Sequence, residues 1–317
     1  MKRLLVPRLV YGGLKSLVPG LSSHTGTGGT DRAAYCYSVW LRHVRMIQDS
    51  GCTLGRGRVV EVGPGDSLGV GLAALLSGAD DYVALDAVAH AEVTRNLAVF
   101  DELLELFRGR EPVPGGASFP NLKPEIQDLT FPSELLTEEG LQDSLGPERV
   151  AALRAAVSGL RLGRQRGPLR YVAPWMDGGF VEAGSADLVL TQAVMQYIED
   201  LDEACALLAR WLRPGGLVSH QIDLTSHDLA RTWDGHWGYS RATWALIKGA
   251  RPFFLSRHPL SRHLEAIRRS GLDIVRVLPV ACPSKLPVRR LAHRFKSMTE
   301  EDRTTRAVYV LARKTPA

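Results

Sequence analysis

The sequence predicts an α/β fold built around a mostly parallel sheet with helices on both faces. The first observation is a short apolar strand that breaks into a glycine turn near residue 63 and continues as an apolar helix. The second is an amphipathic helix between two apolar β-rich runs in residues 185–222. The third is a pair of β-rich runs near the C-terminus. Strands that alternate with helices in this way are typical of parallel α/β sheets.

The N-terminal unit consists of a strand, a turn, a helix and a second strand that ends in an acid. Residues Arg58–Val62 form the first predicted strand, and the helix covers Val70–Leu76. The second predicted strand, Tyr82–Leu85, runs directly into Asp86. This order builds a nucleoside pocket in parallel sheets, because the turn lets the backbone approach a ligand and the acid accepts hydrogen bonds from ribose hydroxyls.

The charges around the turn indicate which kind of nucleoside fits. A dinucleotide places its pyrophosphate at the helix N-terminus, where carboxylates would repel it. Here Glu61 precedes the turn and Asp66 lies within it, while Gly63 and Gly65 allow the close approach. Three residues separate Gly65 from Gly69, whereas the dinucleotide fingerprint has two at that point. Two carboxylates favour a cationic ligand, such as an ammonium or a sulfonium.

The rest of the chain supplies the remaining strands of the same sheet. An amphipathic helix, Leu201–Leu212, is closed by the turn Arg213-Pro214-Gly215-Gly216 and leads into an apolar strand. The third to seventh predicted strands are Leu169–Ala173, Ser185–Gln192, Leu217–Ile222, Leu272–Val280 and Arg306–Ala312.

These motifs resemble those of the class I S-adenosylmethionine-dependent methyltransferases. The first motif of that family reads E-x-G-x-G, as Glu61–Gly65 does, and its ribose acid ends the second strand, as Asp86 does. The helix, R-P-G-G and strand in residues 201–222 look like the family's fourth helix and fifth strand. The resemblance covers roughly Leu54–Lys314. It implies a Rossmann-like sheet of seven strands, mostly parallel with the last strand antiparallel, and S-adenosyl-L-methionine as the cofactor.

The resemblance also implies which residues bind the cofactor. Asp86 would hold the ribose, and Gln192 would flank the methionine portion. Trp175 or Met176 would stack on the adenine ring, while Asp177 comes slightly late for the acid that often contacts the adenine amino group. The implied cofactor set is Glu61, Gly63, Pro64, Gly65, Asp66, Ser67, Asp86, Ala87, Trp175, Met176 and Gln192.

Composition agrees with one large core plus appendages. The 317 residues are 45% apolar and 23% charged, and no apolar run approaches the ~20 residues that cross a bilayer. The N-terminus starts like a signal peptide, but Pro7, Arg8 and Lys15 interrupt its apolar region. We therefore expect a cytoplasmic protein. The net charge of +5 is spread along the chain and does not by itself indicate nucleic-acid binding.

Two regions fall outside the common sheet. Residues 1–50 are predicted to form an N-terminal helical cap, and residues 51–317 the methyltransferase domain. The cap helix, Asp31–Gln48, either closes over the cofactor or packs on the outside of the sheet. The domain contains an insert at residues 98–168, longer than the ~12 residues of a crossover helix. This insert either binds substrate or makes a homodimer contact.

Catalytic candidates follow the fifth strand, because ligands bind beyond the carboxyl ends of parallel strands. His227 is the leading candidate for a base that takes a proton from an alcohol, and Asp223 would orient it. His220 and His236 are alternatives, although a histidine within a strand is more often part of the core. A metal site is not predicted, because strand alternation puts His220 and Asp223 on opposite faces. The four cysteines, which are scattered singly, predict reduced thiols and no zinc site: Cys36, Cys52, Cys205 and Cys282.

The substrate-side segment, residues 223–263, is rich in tryptophan and arginine. Aromatic rings stack on sugars but also fill cores, and guanidinium groups bind anions but also face water. Residues 219–263 resemble bacterial methyltransferases of polysaccharide or secondary-metabolite (natural product) assembly. This favours O-methylation of a sugar, glycan or related small metabolite. Alternatives are an RNA methyltransferase, a catalytically silent scaffold with this fold and, more remotely, an NAD-dependent oxidoreductase.

Overall fold

The structure, a computed structural model, describes residues 5–17, 29–162, 167–175 and 178–315. Met176, which the sequence analysis assigns to adenine stacking, lies outside the described residues, and so does Asp177. The Ser/Thr/Gly-rich linker that precedes the cap helix is described only from Gly29 onwards. All seven predicted strands fall within the described ranges.

The strands begin and end close to the bounds that the apolar pattern predicts. They are β1 (Arg58–Val62), β2 (Asp81–Leu85), β3 (Leu169–Val172), β4 (Ala186–Gln192), β5 (Leu212–Asp223), β6 (Leu272–Ala281) and β7 (Thr305–Lys314). They form one sheet in the order β3-β2-β1-β4-β5-β7-β6. Strands β1 to β5 are mutually parallel, and β7 lies antiparallel between β5 and β6. The predicted seven-stranded sheet with an antiparallel last strand is confirmed.

Helices alternate with most of the strands, and in the described part of the chain two further helices precede β1. None of the described helices has both the length and the apolar composition needed to cross a membrane. The helices are α1 (Leu5–Lys15), α2 (Ala33–Gln48), α3 (Gly69–Leu76), α4 (Val93–Gly109), α5 (Glu138–Ser144), α6 (Pro147–Ser158), α7 (Leu201–Trp211), α8 (Arg241–Lys248), α9 (Leu260–Arg269) and α10 (Glu300–Thr304).

Each face of the sheet carries its own apolar core, because successive side chains of a strand point to opposite sides. Val59 of β1 belongs to the core beneath α2, α3 and α4. Val60, its neighbour, belongs to the core beneath α7 and α9. Both residues are at most 1% exposed. Helices therefore cover both faces, as the sequence predicts.

The register of the central strands determines where the site forms. Val62 of β1 lies beside Leu85 of β2, and Glu61 lies beside Leu190 of β4. Because the three strands are parallel, their carboxyl ends reach the same edge of the sheet. The glycine turn, Asp86 and Gln192 are thereby brought together although they are far apart in sequence.

Helix α2 is almost completely enclosed, with thirteen of its sixteen residues buried. On one side His43 contacts the sheet, with its Nδ1 2.7 Å from Ser219 Oγ of β5. On the other side the Tyr37 hydroxyl donates to the carbonyl oxygen of Glu111, and the Ser38 hydroxyl donates to that of Pro114, each at 2.7 Å. The helix therefore packs on the sheet, and the chain that follows α4 covers it.

The long connection between β2 and β3 begins with α4, which is the crossover helix of the unit. The residues after it run across α2, where Arg45 forms ion pairs with Glu134 at 2.7 Å and Asp128 at 3.1 Å. Helices α5 and α6 then return the chain to β3, with contacts to α3 and α4. The described part of the insert thus encloses the cap helix.

Strand β5 begins earlier than the sequence predicts. The expected turn at Arg213–Gly216 is part of the strand, because Leu212 already lies beside Ala186 of β4. The register shifts between Ala186 and Leu188, and Gly215 has a φ of +76° that few side chains tolerate. Residues 213–216 have no paired position in β4, so the predicted turn is an irregular stretch within the strand.

The substrate-side segment folds over the carboxyl edge of the sheet and is held by buried aromatic side chains. Trp237 packs against Leu291 and Phe295, whereas Trp244 packs against α1 and Leu255. These two tryptophans fill small cores, so the sequence pattern that suggested sugar stacking has a structural role at both positions. Trp233 is half-buried and lines the cavity described next.

Candidate functional site

A cavity of about 1900 Å³ opens at the carboxyl edge of the sheet. Its walls come from the glycine turn, the ends of β2, β4 and β5, the start of α2, and the substrate-side segment. Sites for a single small molecule usually measure ~300–1,000 Å³. The cavity therefore has room for two ligands, one at the glycine turn and one beside the substrate-side segment.

The glycine turn leaves β1 along a path that only glycine follows easily. Gly63 and Gly65 have φ values of +76° and +80°. A Cβ at Gly63 would lie 2.5 Å from Cγ2 of Val194, so any side chain there would clash. Asp86 accepts hydrogen bonds from the backbone N–H groups of Gly65 at 3.3 Å and Ala87 at 2.7 Å. The turn and the acid are thereby fixed against each other.

Two carboxylates line this end of the cavity. Glu61 is buried and accepts a hydrogen bond of 2.5 Å from the Tyr82 hydroxyl. Burial raises the pKa of Glu61 to about 7, although the Tyr82 hydrogen bond opposes the shift and the charge of Asp86 adds to it. Burial also raises the pKa of Asp86, against the hydrogen bonds from its backbone neighbours. A cation between these two groups would relieve their mutual repulsion and restore the charged forms.

The N-terminus of α3 is already occupied by side chains of the protein itself. The Thr30 hydroxyl oxygen accepts from the N–H groups of Asp66 at 2.8 Å and Ser67 at 3.4 Å. The side-chain oxygen of Asn96 accepts from the Leu68 N–H at 2.7 Å. These are the donors that would otherwise hold a phosphate at the start of a helix. This end of the cavity is therefore poorly suited to a pyrophosphate.

Asp66 and Ser67, two residues of the expected cofactor set, face away from the cavity. Ser67 is buried and its hydroxyl donates to the Thr30 carbonyl. Neither side chain is among those that line the cavity. The carboxylate that lines this end of the cavity together with Glu61 is therefore Asp86, and not Asp66. Sequence reasoning also missed Thr30. Its position in a Ser/Thr/Gly-rich linker gave no signal for a contact with a turn thirty-six residues away.

Trp175 lines the wall beside Asp86, as expected for a residue that follows β3. Its backbone N–H donates to the Asp86 carbonyl at 3.0 Å. Its ring packs against Trp211 of α7, with ring centroids 5.9 Å apart. Ala87 and His90 line the cavity close by. The indole is thus held on a rigid support at the end of the cavity that contains the glycine turn.

Gln192 is held by partners on both sides, which fixes the orientation of its amide. Its Oε1 lies 3.2 Å from His43 Nε2, and its Nε2 donates to Gln221 Oε1 at 3.2 Å. Burial lowers the pKa of His43 to about 4, so this imidazole is neutral at pH 7. Tyr35, another residue of α2, also lines the cavity. The cap helix therefore both packs on the sheet and contributes side chains to the site.

His227 and Asp223 meet at the other end of the cavity. The Nε2 of His227 lies 3.7 Å from Asp223 Oδ2, and its Nδ1 lies 3.5 Å from the Tyr197 hydroxyl. His227 and Asp228 have φ values of +44° and +60°. Two successive non-glycine residues in the left-handed region cost free energy, and such strain is concentrated at functional sites.

The other two catalytic candidates lie elsewhere. His220 is buried in β5, where its Nδ1 lies 2.9 Å from Thr191 Oγ1, and burial lowers its pKa to about 3. His236 is buried against Trp237 at a ring distance of 4.6 Å, and burial likewise lowers its pKa to about 3. Neither histidine lines the cavity. Of the four candidates, only His227 and Asp223 are brought together there.

Three arginines line the cavity at this end, and they differ in what holds them. Arg251 lies over the Phe254 ring at 4.5 Å and donates to the Lys248 carbonyl at 3.1 Å. Arg231 is exposed. Arg306 of β7 has its Nε buried without a hydrogen-bond partner among the described residues. In the described part of the chain, no three His, Cys, Asp or Glu side chains form a potential metal site.

Comparisons with known proteins agree with this geometry over part of the chain. A family model described as a methyltransferase domain matches residues 144–219, a range that contains β3, β4, α7 and the first residues of β5. No curated protein matches the sequence.

Three solved structures illustrate the range of similar proteins. An S-adenosylmethionine-dependent methyltransferase from Mesorhizobium loti is 19% identical, with 87% of this chain and 98% of that chain covered and a TM-score of 0.41. Geranyl diphosphate C-methyltransferase from Streptomyces coelicolor A3(2) is 14% identical, with 99% of both chains covered and a TM-score of 0.44. Phosphoethanolamine N-methyltransferase 2 from Haemonchus contortus is 15% identical, with 91% of this chain and 58% of that chain covered and a TM-score of 0.43. Because all three scores lie below 0.5, the fold assignment depends on the sheet order.

Proposed function

We propose that this chain, which has the class I S-adenosylmethionine-dependent methyltransferase fold, transfers a methyl group from S-adenosylmethionine to a hydroxyl of a sugar, glycan or related small metabolite. The observation that carries the proposal is the donor end of the cavity. There Glu61 and Asp86 line a site whose helix N-terminus is already bonded by Thr30 and Asn96. Such a site favours a cationic nucleoside over a pyrophosphate.

S-adenosylmethionine matches these features group by group. Its sulfonium and ammonium carry positive charge toward the carboxylates, and its ribose hydroxyls can donate to Asp86. Gln192, whose amide is fixed by His43 and Gln221, would contact the methionine portion. Trp175 supplies an aromatic surface for the adenine. Among the solved structures similar to this chain, the geranyl diphosphate C-methyltransferase was determined with S-adenosyl-L-homocysteine.

At the acceptor end, methyl transfer would proceed by in-line displacement. The acceptor oxygen forms a bond to the methyl carbon as the carbon–sulfur bond breaks, and the sulfur keeps the bonding electrons and leaves as a neutral thioether. His227 takes the hydroxyl proton on Nδ1, the ring nitrogen on the Tyr197 side, while Asp223 on the Nε2 side orients the imidazole. Alignment supplies most of the acceleration in such a reaction, and a positioned base adds about 10²–10⁴-fold.

The acceptor class follows from the lining of the same end. Polar side chains that include Thr225, Thr232 and Gln221 alternate with Trp233 and the phenylalanines of the substrate-side segment. A polyhydroxylated molecule presents both hydrogen-bonding groups and apolar ring faces to such a wall. The cationic side chain of Arg306, which lines the cavity, favours an acceptor that also carries an anionic group.

Calorimetry with the purified chain tests the donor. We expect S-adenosylmethionine and S-adenosylhomocysteine to bind, and NADH to give no heat. Asp86→Ala should weaken donor binding by about 100-fold, since it removes hydrogen bonds to a charged acceptor worth ~1.5–3 kcal/mol each. Asp101→Ala, which removes an exposed acid paired with Arg154, is the matched control and should bind normally. A folded chain that gives no heat with either methyl compound would point to a catalytically silent scaffold.

Transfer of label from the methyl donor to fractionated metabolites tests the acceptor and the base. Mass spectrometry of the labelled product should locate the methyl group on oxygen. His227→Gln should lower the rate of label transfer by at least about 100-fold with little change in donor affinity. Label found on nitrogen or carbon, or on RNA, would refute O-methylation of a small molecule while leaving the donor assignment intact.

A further inference from the structure

Most of the large apolar side chains that remain exposed lie on one surface. Nine such residues are exposed in the described part of the chain, and six of them belong to α1, to α8 or to the residues just after these helices. We call this surface the apolar patch: Val6, Tyr11, Leu14, Leu17, Leu246 and Phe253. Exposed fractions range from 37% for Val6 to 64% for Tyr11. Concentration of apolar surface in one place indicates an interaction site.

Helix α1 is held in place by its inner face, and among the described residues its outer face stays exposed at Tyr11 and Leu14. Gly13 packs so closely on the Leu246 and Ile247 carbonyls that no Cβ would fit. The hydroxyl oxygen of Ser16 accepts from the Ala250 N–H at 3.0 Å. Leu9 and Val10 pack against the small core around Trp244. These contacts hold α1 against α8 and leave the side chains of the apolar patch at least 37% exposed.

Basic side chains outnumber acidic ones around the apolar patch. Helix α1 contains Arg8 and Lys15 and no acid, and residues 241–258 also lack acids. Lys248 is paired with Glu199, and Arg251 donates to backbone carbonyls. Arg8, Lys15 and Arg241 form none of the ion pairs found among the described residues. A partner that is both apolar and negatively charged would complement the apolar patch and these cations.

We infer that the apolar patch docks on the surface of an anionic lipid membrane. Its aromatic and aliphatic side chains would enter the boundary between headgroups and acyl chains, and the flanking basic side chains would lie among lipid phosphates. A short helix with an apolar face and basic flanks binds membranes in this way without crossing them.

Because the apolar patch borders the cavity, docking on a membrane would also orient the cavity. Ser16, Ala250 and Phe253 line the cavity as well as bordering the apolar patch. A docked chain would therefore turn the acceptor end of the cavity toward the lipid. The acceptor would then be a hydroxylated headgroup carried on a lipid, a statement that rests on the proposed function, whereas membrane docking does not.

Flotation of the full chain with lipid vesicles tests the docking. We expect the protein to float with phosphatidylcholine vesicles that contain phosphatidylglycerol and to remain in solution with pure phosphatidylcholine. Binding should fall as salt is raised, because salt screens exposed charges. The double variant Tyr11→Ser/Leu14→Ser should bind at least about 10-fold more weakly, since it exchanges two inserted apolar side chains for polar ones. Leu162→Ser/Val288→Ser, which alters two exposed apolar residues outside the apolar patch, should bind like the parent.

Three outcomes would overturn the inference. The first is a folded parent chain that does not bind anionic vesicles at low salt. The second is equal binding by the two double variants. The third is a dimer in solution that Tyr11→Ser/Leu14→Ser converts to a monomer, which would make a second copy the occupant. Calorimetry with S-adenosylmethionine on the same preparations separates this inference from the proposed function, because Tyr11 and Leu14 do not line the cavity.

Discussion

The hydroxyl of Tyr82 donates a hydrogen bond of 2.5 Å to the buried carboxylate of Glu61, directly beneath the glycine turn. This bond supports a negative charge at Glu61, whereas burial opposes it and raises the pKa of Glu61 to about 7. The charge of Glu61 therefore depends on whether a cation occupies the donor end. Folding and donor binding should respond to pH in opposite directions.

The first prediction concerns Glu61→Gln. In the folded chain the pKa of Glu61 is raised from its ordinary 4.5 to about 7, so the folded state binds the proton more tightly than the unfolded state. The resulting stabilisation is complete below pH 4.5 and is lost as the pH rises through 7. Removing the titrating group should flatten this part of the stability curve. Between pH 5 and pH 8, thermal denaturation should therefore show a smaller loss of stability for Glu61→Gln than for the parent without ligand.

Donor affinity should change in the other direction. Binding of a cation requires charged Glu61, so the affinity of the parent for S-adenosylmethionine should rise as the pH increases through 7 and then level off. Glu61→Gln should bind more weakly at pH 8 and show no such rise. Glu105→Gln, at an exposed site on α4, is the control. A parent whose affinity is flat from pH 6 to pH 8 would contradict the assigned role of Glu61.

The second prediction concerns Thr30, which joins the cap to the glycine turn. Thr30→Val keeps the shape of the side chain but removes the oxygen that accepts from the Asp66 and Ser67 N–H groups. Leaving such groups unsatisfied costs about 1–3 kcal/mol. We expect a loss of stability of that size in urea denaturation and a donor affinity about 10-fold lower. Thr30→Ser keeps the hydroxyl and should restore most of both quantities. A loss in Thr30→Ser with none in Thr30→Val would show that the methyl group, and not the oxygen, matters.

The strands and the donor end could be largely predicted from the sequence because their signals are local. β1 has the predicted bounds, and the order of glycines and acids around Gly63 places the turn without any long-range information. The apolar pattern of β5, in contrast, could not show that pairing with β4 would draw Leu212 into the strand. Strand ends depend on the neighbouring strand, and the neighbour is set by topology.

The acceptor end was less predictable because it assembles from distant segments. His227 and Asp223 are close in sequence and could be proposed together, but Tyr197 and Arg306 reach them only through the sheet order. His220 and His227 have the same chemistry, and only the structure separates a buried strand residue from one that lines the cavity. Thr30 illustrates the same limit, since nothing local marks a threonine in a linker as the partner of a distant turn.

The third prediction concerns Arg306, whose Nε has no hydrogen-bond partner among the described residues. Arg306→Met keeps much of the side-chain volume and removes the guanidinium. We expect KM for the labelled acceptor to rise at least 10-fold, in line with the ~1.5–3 kcal/mol of a charge-assisted hydrogen bond. Donor affinity and kcat should change little. Arg289→Met, at an exposed position outside the cavity, should leave KM unchanged. An unaltered KM in Arg306→Met would exclude an anionic group near this residue.

The fourth prediction concerns Arg257, which holds the substrate-side segment together from inside. Arg257 is 2% exposed, and its Nη1 donates to the carbonyl oxygens of His236 at 3.1 Å and Tyr239 at 2.8 Å. Its guanidinium lies over the rings of Trp244 at 4.4 Å and Phe295 at 5.2 Å. Arg257→Met should fill the same space but leave both carbonyls without a donor. At about 1–3 kcal/mol for each group, we expect a loss of roughly 2–6 kcal/mol in urea denaturation.

The exposed Arg294 offers a matched control, because its guanidinium also lies over the Phe295 ring, 4.4 Å from the ring centroid. Arg294→Met should cost less than about 1 kcal/mol, as expected for a solvated cation on an aromatic ring. Arg257→Met should also lower turnover more than donor affinity, since the segment that it holds carries His227, whereas the glycine turn and Asp86 belong to the sheet. Equal losses of stability in the two variants would mean that the buried hydrogen bonds to His236 and Tyr239 do not hold the segment. Equal losses of turnover and donor affinity would mean that the two ends of the cavity are not independently supported.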